Sequence, residues 1–243
     1  MLTTYLAVAL VAYMLGSIPF GYILVKLLLK QDIRMTGSGN IGATNVARSG
    51  KKGLAIATLL LDAGKGFIAV LFPMYLLSSQ IAAAIEERRR AQEMGFDFIG
   101  GPVRPPEQVL LAMCIAGLCA VLGHMFPVWL RFKGGKGVAT AVGALMFISP
   151  RALMASLVIF VVVFLVFRFV SLGSVMAAIV FPIVAKLEWR AIPSTAVILI
   201  CTVSLLIILK HHANIRRLLN GTEPKFGVKK PVPADPIQVE KNA

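Results

Sequence analysis

Long stretches without a single charge constrain this chain most. Residues 1–25, 66–85, 108–130 and 191–209 contain no Asp, Glu, Lys or Arg, and shorter uncharged runs occupy 137–150, 152–167 and 169–185. A helix needs about 20 mainly apolar residues to cross about 30 Å of hydrocarbon. The runs are continuously apolar and lack period-2 alternation, so they predict a helix bundle rather than a barrel. Composition agrees, with 58% hydrophobic and 15% charged residues, where soluble domains hold about 45–50% and about 25%. The expected fold is an all-α integral membrane protein with about seven transmembrane helices, near 2–28, 53–77, 107–128, 137–149, 151–168, 172–187 and 191–209. The fourth is short and is expected to cross only part of the bilayer or to sit inside the bundle. Residues 1–25 lack the basic start of a signal peptide, and Gly16–Gly21 interrupts the run. They read as a retained first helix, broken or kinked at Pro19.

The net charge is +14, from 25 Lys and Arg against 11 Asp and Glu. In a soluble protein that excess would point to nucleic acid. In a membrane protein it points to loop asymmetry, since Lys and Arg concentrate on the cytoplasmic side. With residues 29–52 placed in the cytoplasm, that side collects Lys30, Arg34, Arg48, Lys51, Lys52, Arg131, Lys133, Lys136, Arg168 and the basic residues from Lys210 onward. The opposite side receives fewer: Arg88, Arg89, Arg90, Arg104, Arg151, Lys186 and Arg190. The imbalance predicts an outside N-terminus and a cytoplasmic C-terminus, and no nucleic-acid partner. Residues 1–221 read as one polytopic membrane domain. It includes a polar non-cytoplasmic segment at about 78–106, helix-forming as far as about Met94. Residues 222–243, rich in Pro and charge, read as a partly disordered cytoplasmic tail. Cys114, Cys119 and Cys201 lie within apolar runs at spacings that suggest neither a metal site nor a disulfide framework.

Three polar islands interrupt the apolar chain, and the predicted topology brings all three to the cytoplasmic face. The first runs from Gly37 to Arg48. Its G-x-G-x-x-G spacing is not a dinucleotide fold, because no strand precedes it. Gly37, Gly39 and Gly42 let backbone N–H groups turn toward an anion. Ser38, Asn40, Thr44 and Asn45 add neutral donors, and Arg48 offers a planar fork for phosphate. The second island runs from Gly123 to Thr140. Gly134, Gly135 and Gly137 precede an apolar segment, and Lys136 supplies a point charge, an arrangement suited to phosphate at a helix N-terminus. It is not a Walker loop, since Leu130 stands where the first glycine would be and Gly137 follows Lys136. The third runs from Lys210 to Glu223 and is expected to continue the last helix out of the membrane. His211 and Asn214, three residues apart, share a face there. Adjacent His211 and His212 point about 100° apart, which disfavours a metal site. Asp62 and Lys65, one turn apart inside the second expected helix, are functional candidates or a structural ion pair supporting the first island.

These islands, GSGNIGATNVAR at 37–48, GHMFPVWLRFKGGKGVAT at 123–140 and HHANIRRLLNGTE at 211–223, make the chain resemble the bacterial acyl-phosphate:glycerol-3-phosphate acyltransferases, the PlsY family. The resemblance implies transfer of a fatty acyl group from acyl phosphate to the C1 hydroxyl of glycerol-3-phosphate. The products are lysophosphatidic acid and phosphate, at the start of phospholipid synthesis in the bacterial inner membrane. It implies that Ser38, Asn40, Asn45 and Arg48 bind phosphate together with Lys136 and the second-island glycines. It also implies that His211 and Asn214 contact substrate and that Glu223 holds the third island in place. The candidate catalytic residues are therefore Ser38, Arg48, His211 and Asn214, and Gly37, Gly39, Asn40, Asn45, Gly134, Gly135, Lys136 and Gly137 form the candidate phosphate-binding set. No cofactor and no metal is expected. The expected partners are the two substrates, the bilayer and the soluble enzyme that makes acyl phosphate. The general base is His211 or a substrate phosphate oxygen. Ser38 lacks a visible adjacent base for acyl-enzyme chemistry. The rival reading is a transporter of phosphorylated solutes or lipids, against which stands the one-sided clustering of polar residues.

Overall fold

The computed structural model describes residues 1–94, 105–188 and 193–227, and every regular element among them is helical. The first apolar run forms α1 (Leu2–Gly16) and α2 (Phe20–Leu29), broken between Gly16 and Pro19, whose missing N–H favours the break and which caps α2. The first polar island follows, closed by a short helix, α3 (Ala43–Arg48). α4 (Lys52–Leu76) is the longest helix, about 37 Å at 1.5 Å per residue. It carries the chain from this island to the far end of the bundle. There α5 (Ser78–Glu93) buries none of its residues and is laced by Arg89 and Arg90 to Glu86. The second half of the expected 78–106 segment, residues 95–104, lies outside the described residues.

α6 (Glu107–Met125) returns to the first end and is the most buried long helix. α7 (Val138–Leu145) has only eight residues, about 12 Å, too short to cross a bilayer. α8 (Pro150–Phe167) and α9 (Val170–Glu188) form an antiparallel pair. α10 (Ser194–Lys210) meets α11 (His212–Leu219) at a 55° bend. The third island therefore does not continue the last span straight, as its sequence suggested. His211 N–H donates to Ile208 at 2.9 Å, tightening the last turn, and beyond the bend Asn214 is the one residue of α11 that is buried.

Five segments among the described residues are long and apolar enough to cross a membrane, with residues 2–29 counted as one. The bent α10–α11 pair makes a sixth. The expected span at 137–149 does not meet that length, because Gly137 and the turns after Leu145 cap α7 at both ends.

Helices inside lipid gain little from apolar contact with one another, so close backbone approach carries their packing. A Cβ on Gly16 would lie 2.1 Å from the Ala120 carbonyl oxygen of α6, and one on Gly143 would lie 1.8 Å from that of Ala63 on α4. Glycine is thus what seats α1 on α6 and α7 on α4. A main core of Val8, Val70, Met113, Val121, Met125 and Ile148 fills the bundle. A smaller cluster of Val25, Ile33, Ile41, Val46, Ala55 and Leu130 lies beneath the first island. Leu130 belongs to the second island, so the two islands share this floor. α8 turns Met154, Val158, Val161, Val162 and Leu165 outward, an apolar surface suited to lipid.

Candidate active site

In the first island, Asp32 caps the turn Ile33–Met35, accepting the Arg34 N–H at 2.9 Å and pairing with its guanidinium at 2.6 Å. The Arg34 hydrogen bond holds the Asp32 carboxyl down at about 2, so Arg34 staples the loop. Asn45 governs the rest. Its Oδ1 accepts the Ser38 N–H at 2.8 Å, and its Nδ2 donates to the carbonyls of Ile33, Thr36 and Asn40 at 2.8–3.1 Å. The side chain is 2% exposed. Asn45 was expected to touch phosphate; instead its amide is consumed in folding the loop. Gly37 has φ +57, and a Cβ there would lie 2.3 Å from Asn45 Oδ1, so the loop requires glycine. The Gly39 N–H donates to Thr36 at 3.0 Å, which removes it from the phosphate-binding set. Asn40 Oδ1 accepts the Gly42 N–H at 2.8 Å. Ser38 and Arg48 remain exposed at the rim, as a phosphate site needs.

The second island is also more structural than its glycines suggested. Gly134 and Gly135 donate their N–H groups to the carbonyls of Met125 and His124, at 3.2 and 3.0 Å, so neither offers an N–H to phosphate. A Cβ on Gly135 would sit 1.9 Å from His124 Nε2, so glycine is there for close approach. Gly137, at φ +79, turns the chain into α7, whose first internal bond is Ala141 N–H to the Gly137 carbonyl. The N–H groups of Val138, Ala139 and Thr140 are left without intrahelical partners next to Lys136.

The third island supplies the hub. Glu223 Oε1 accepts from Asn214 Nδ2 at 2.6 Å and from Ser171 Oγ at 2.7 Å, and Oε2 accepts from Arg217 Nε at 2.7 Å. Asn214 Oδ1 in turn accepts from Lys136 Nζ, which joins the second island to the third. His211 is buried, with Nδ1 2.7 Å from the Ile207 carbonyl. A carbonyl only accepts, so Nδ1 carries the proton and Nε2 the lone pair. Residues 222–227 are docked rather than free: Phe226 N–H donates to the Arg168 carbonyl at 2.8 Å, and its ring meets Phe164 edge-on. The tail from residue 228 lies outside the described residues.

Burial pushes the Lys136 ammonium down to about 8. Glu223 opposes that shift, while the nearby positive charges of Arg217 and Arg48 add to it. Burial alone would raise Glu223, but the bonds from Asn214, Ser171 and Arg217 outweigh it and keep the carboxyl below its ordinary range. Arg217 pairs with the Glu223 carboxylate, Lys136 is tied to it through Asn214, and the Arg48 charge is felt at Lys136, so positive charge exceeds negative here. Ser171, at the start of α9, was not among the sequence candidates. A lone serine in an apolar run carries no signal until α9 is placed beside α11.

The family described as glycerol-3-phosphate acyltransferase matches residues 6–221. The chain belongs to this family. It is similar to the glycerol-3-phosphate acyltransferase of Mesorhizobium japonicum, at 44% identity over 89% of this chain and 93% of that one. It is likewise similar to that of a Bradyrhizobium species, at 44% identity over 93% and 98%. A crystal structure of PlsY (YgiH), an integral membrane glycerol 3-phosphate acyltransferase in its glycerol 3-phosphate form, superposes with a TM-score of 0.72. It shares 35% identity over 92% of this chain and 96% of that one. The lysophosphatidic acid form of the same protein gives 0.69. The PlsY resemblance read from the three islands is therefore borne out, and the transporter reading finds no support.

Proposed function

We propose that this glycerol-3-phosphate acyltransferase takes its acyl group from a long-chain acyl phosphate. The hydroxyl oxygen at C1 of glycerol-3-phosphate attacks the acyl carbonyl carbon. The bond from that carbon to the phosphate oxygen breaks, and phosphate leaves with the electron pair. The hydroxyl proton passes to His211 Nε2 or to a phosphate oxygen. One observation carries the reading: Lys136 Nζ donates to Asn214, whose amide Glu223 holds together with the Arg217 guanidinium, so the second and third islands meet at two cations, and the Arg48 charge acts on Lys136 from the first island. A mixed anhydride is already activated, so positioning and charge stabilisation suffice and no covalent intermediate is needed. Lys and Arg neutralise both phosphates, so no metal is required. Among the described residues the loops between helices are short and suit a compact phosphate head better than a nucleotide-bearing acyl-CoA.

Lysophosphatidic acid formation from palmitoyl phosphate and from palmitoyl-CoA, each with and without chelator, tests this. Turnover from palmitoyl phosphate alone, unaffected by chelator, is expected. Comparable rates from the CoA ester, or full loss in chelator, would overturn it.

The proposal includes a bacterial inner-membrane location with the site on the cytoplasmic face, the N-terminus outside and seven crossings. The Lys/Arg asymmetry supports the orientation. The path of residues 137–149 supports a short seventh crossing, with α7 supplying only part of it and the turns after Leu145 the rest: the Ser149 hydroxyl donates to Glu188 at the end of α9. In a cysteine-free background, Glu93→Cys should label from the periplasm and Lys225→Cys from the cytoplasm. The reverse pattern would refute the orientation.

A further inference from the structure

The ion pair inside α4 lies outside the site just described, yet it touches elements that carry both phosphate loops. Asp62 and Lys65 are 2% and 3% exposed. Lys65 Nζ lies 2.8 Å from Asp62 Oδ1 and donates at 2.8 Å to the Ile18 carbonyl, in the break between α1 and α2. Immediately beyond that break, Gly21 presses on the first island: a Cβ there would lie 2.0 Å from the Ile41 carbonyl oxygen. On the other side, His124 Nδ1 is 3.5 Å from the same Asp62 oxygen, and the ring's Nε2 edge faces Gly135, the residue before Lys136. The His124 carbonyl also accepts the Gly135 N–H. One chain of contacts therefore runs from the first island through Ile18, Lys65, Asp62 and His124 to the second.

We infer that Asp62, Lys65 and His124 form a single buttress that sets the two phosphate loops relative to each other for acyl transfer. They are positioning residues, and this inference rests on the reaction proposed above. Stability alone does not account for them. Removing two charges from water costs several kcal/mol per ion, and apolar residues of similar volume often serve the fold as well or better. Satisfying the broken helix explains why Lys65 meets Ile18. It does not explain why Asp62 meets His124, or why His124 lies directly under Gly135.

Losing one charge would strand the other, so the test removes both with Asp62→Leu/Lys65→Met. The purified variant should keep its melting temperature in detergent within about 5 °C, as buried-pair replacements often do. Amide exchange should accelerate at 37–42 and 133–136 but not in α8 and α9. KM for both substrates should rise, and kcat/KM should fall by at least about tenfold, or 1.36 kcal/mol. His124→Asn keeps a polar amide where Nδ1 stood but removes Nε2. It should accelerate exchange at 133–136 while 37–42 stays protected, and this variant decides the matter if the double variant does not fold. Wild-type exchange in the expected loops of either folded variant overturns the buttress. Exchange needs no turnover. A wild-type enzyme inactive with palmitoyl phosphate would refute the proposed donor, while exchange still judges the buttress.

Discussion

Glu223→Gln probes the hub of the site by changing one atom. The carboxylate accepts from Asn214 at 2.6 Å, Ser171 at 2.7 Å and Arg217 at 2.7 Å. Glutamine keeps one acceptor oxygen. With that oxygen on Asn214 and Ser171, its NH2 faces Arg217 Nε, donor against donor, and the third bond is lost. A hydrogen bond to a charged group is worth about 1.5–3 kcal/mol. At 1.36 kcal/mol per tenfold, that corresponds to roughly 10- to 100-fold in kcat/KM. The Arg217 side chain is 37% exposed and can rehydrate, which places the expectation near tenfold. A second signature follows from charge. Lys136 sits at about 8, and the Glu223 charge holds it up against burial. A neutral Gln lets it fall further. In its proposed phosphate-binding role Lys136 needs the protonated ammonium, so activity should be lost as pH rises through the Lys136 value. The alkaline limb of kcat/KM, which reports the free enzyme, should lie near 8 in the wild type and at lower pH in the variant. Phosphate release measured across pH 6–10 reads both effects. A folded Gln variant with unchanged kcat/KM and an unmoved alkaline limb would refute the coupling of Glu223 to Lys136.

Arg48→Ala should abolish phosphate release and Arg48→Lys should restore only a small part of it, because a planar fork grips phosphate where a point charge does not; near-normal turnover in the alanine variant would remove Arg48 from the site. Asn45→Ala strands the Ser38 N–H and three carbonyls, so it should cost at least about 2 kcal/mol and lower the melting temperature along with activity; an unchanged melting temperature would return Asn45 to the pool of phosphate ligands. Gly135→Ala forces a methyl into the His124 ring and should lower kcat/KM more than it lowers the melting temperature, as measured by phosphate release and thermal unfolding. Replacing residues 82–93 by a Gly/Ser linker should leave turnover largely intact, since α5 has no fully buried residue, only Ile81 near its start packs against the core, and the helix stands at the opposite end of the bundle from the site.

Much of this was legible in the chain itself. Charge-free runs of span length dictate membrane helices, because no backbone polar group can go unpaired in hydrocarbon. Pro19, after Gly16 and Ser17, marks the break between α1 and α2, because it lacks the N–H that would continue the helical ladder and stands as the N-cap of α2. Arg48, Lys136, His211 and Asn214 stood out as polar residues at the edges of apolar runs, where such groups are costly without a purpose. Tertiary structure alone decided how those groups are used. A glycine N–H looks the same in sequence whether it faces phosphate or a carbonyl, and only the antiparallel pairing of Gly134 and Gly135 with residues 124 and 125 decides the matter. Asn45 reads as a donor until the fold surrounds it with four backbone partners. Ser171 gains its role only because the start of α9 meets Glu223, 52 residues away in sequence. Local propensity and hydropathy act over a few residues and so are written along the chain. Hydrogen-bond partners of buried polar groups are chosen across the bundle, by whichever backbone the packing brings within 3 Å.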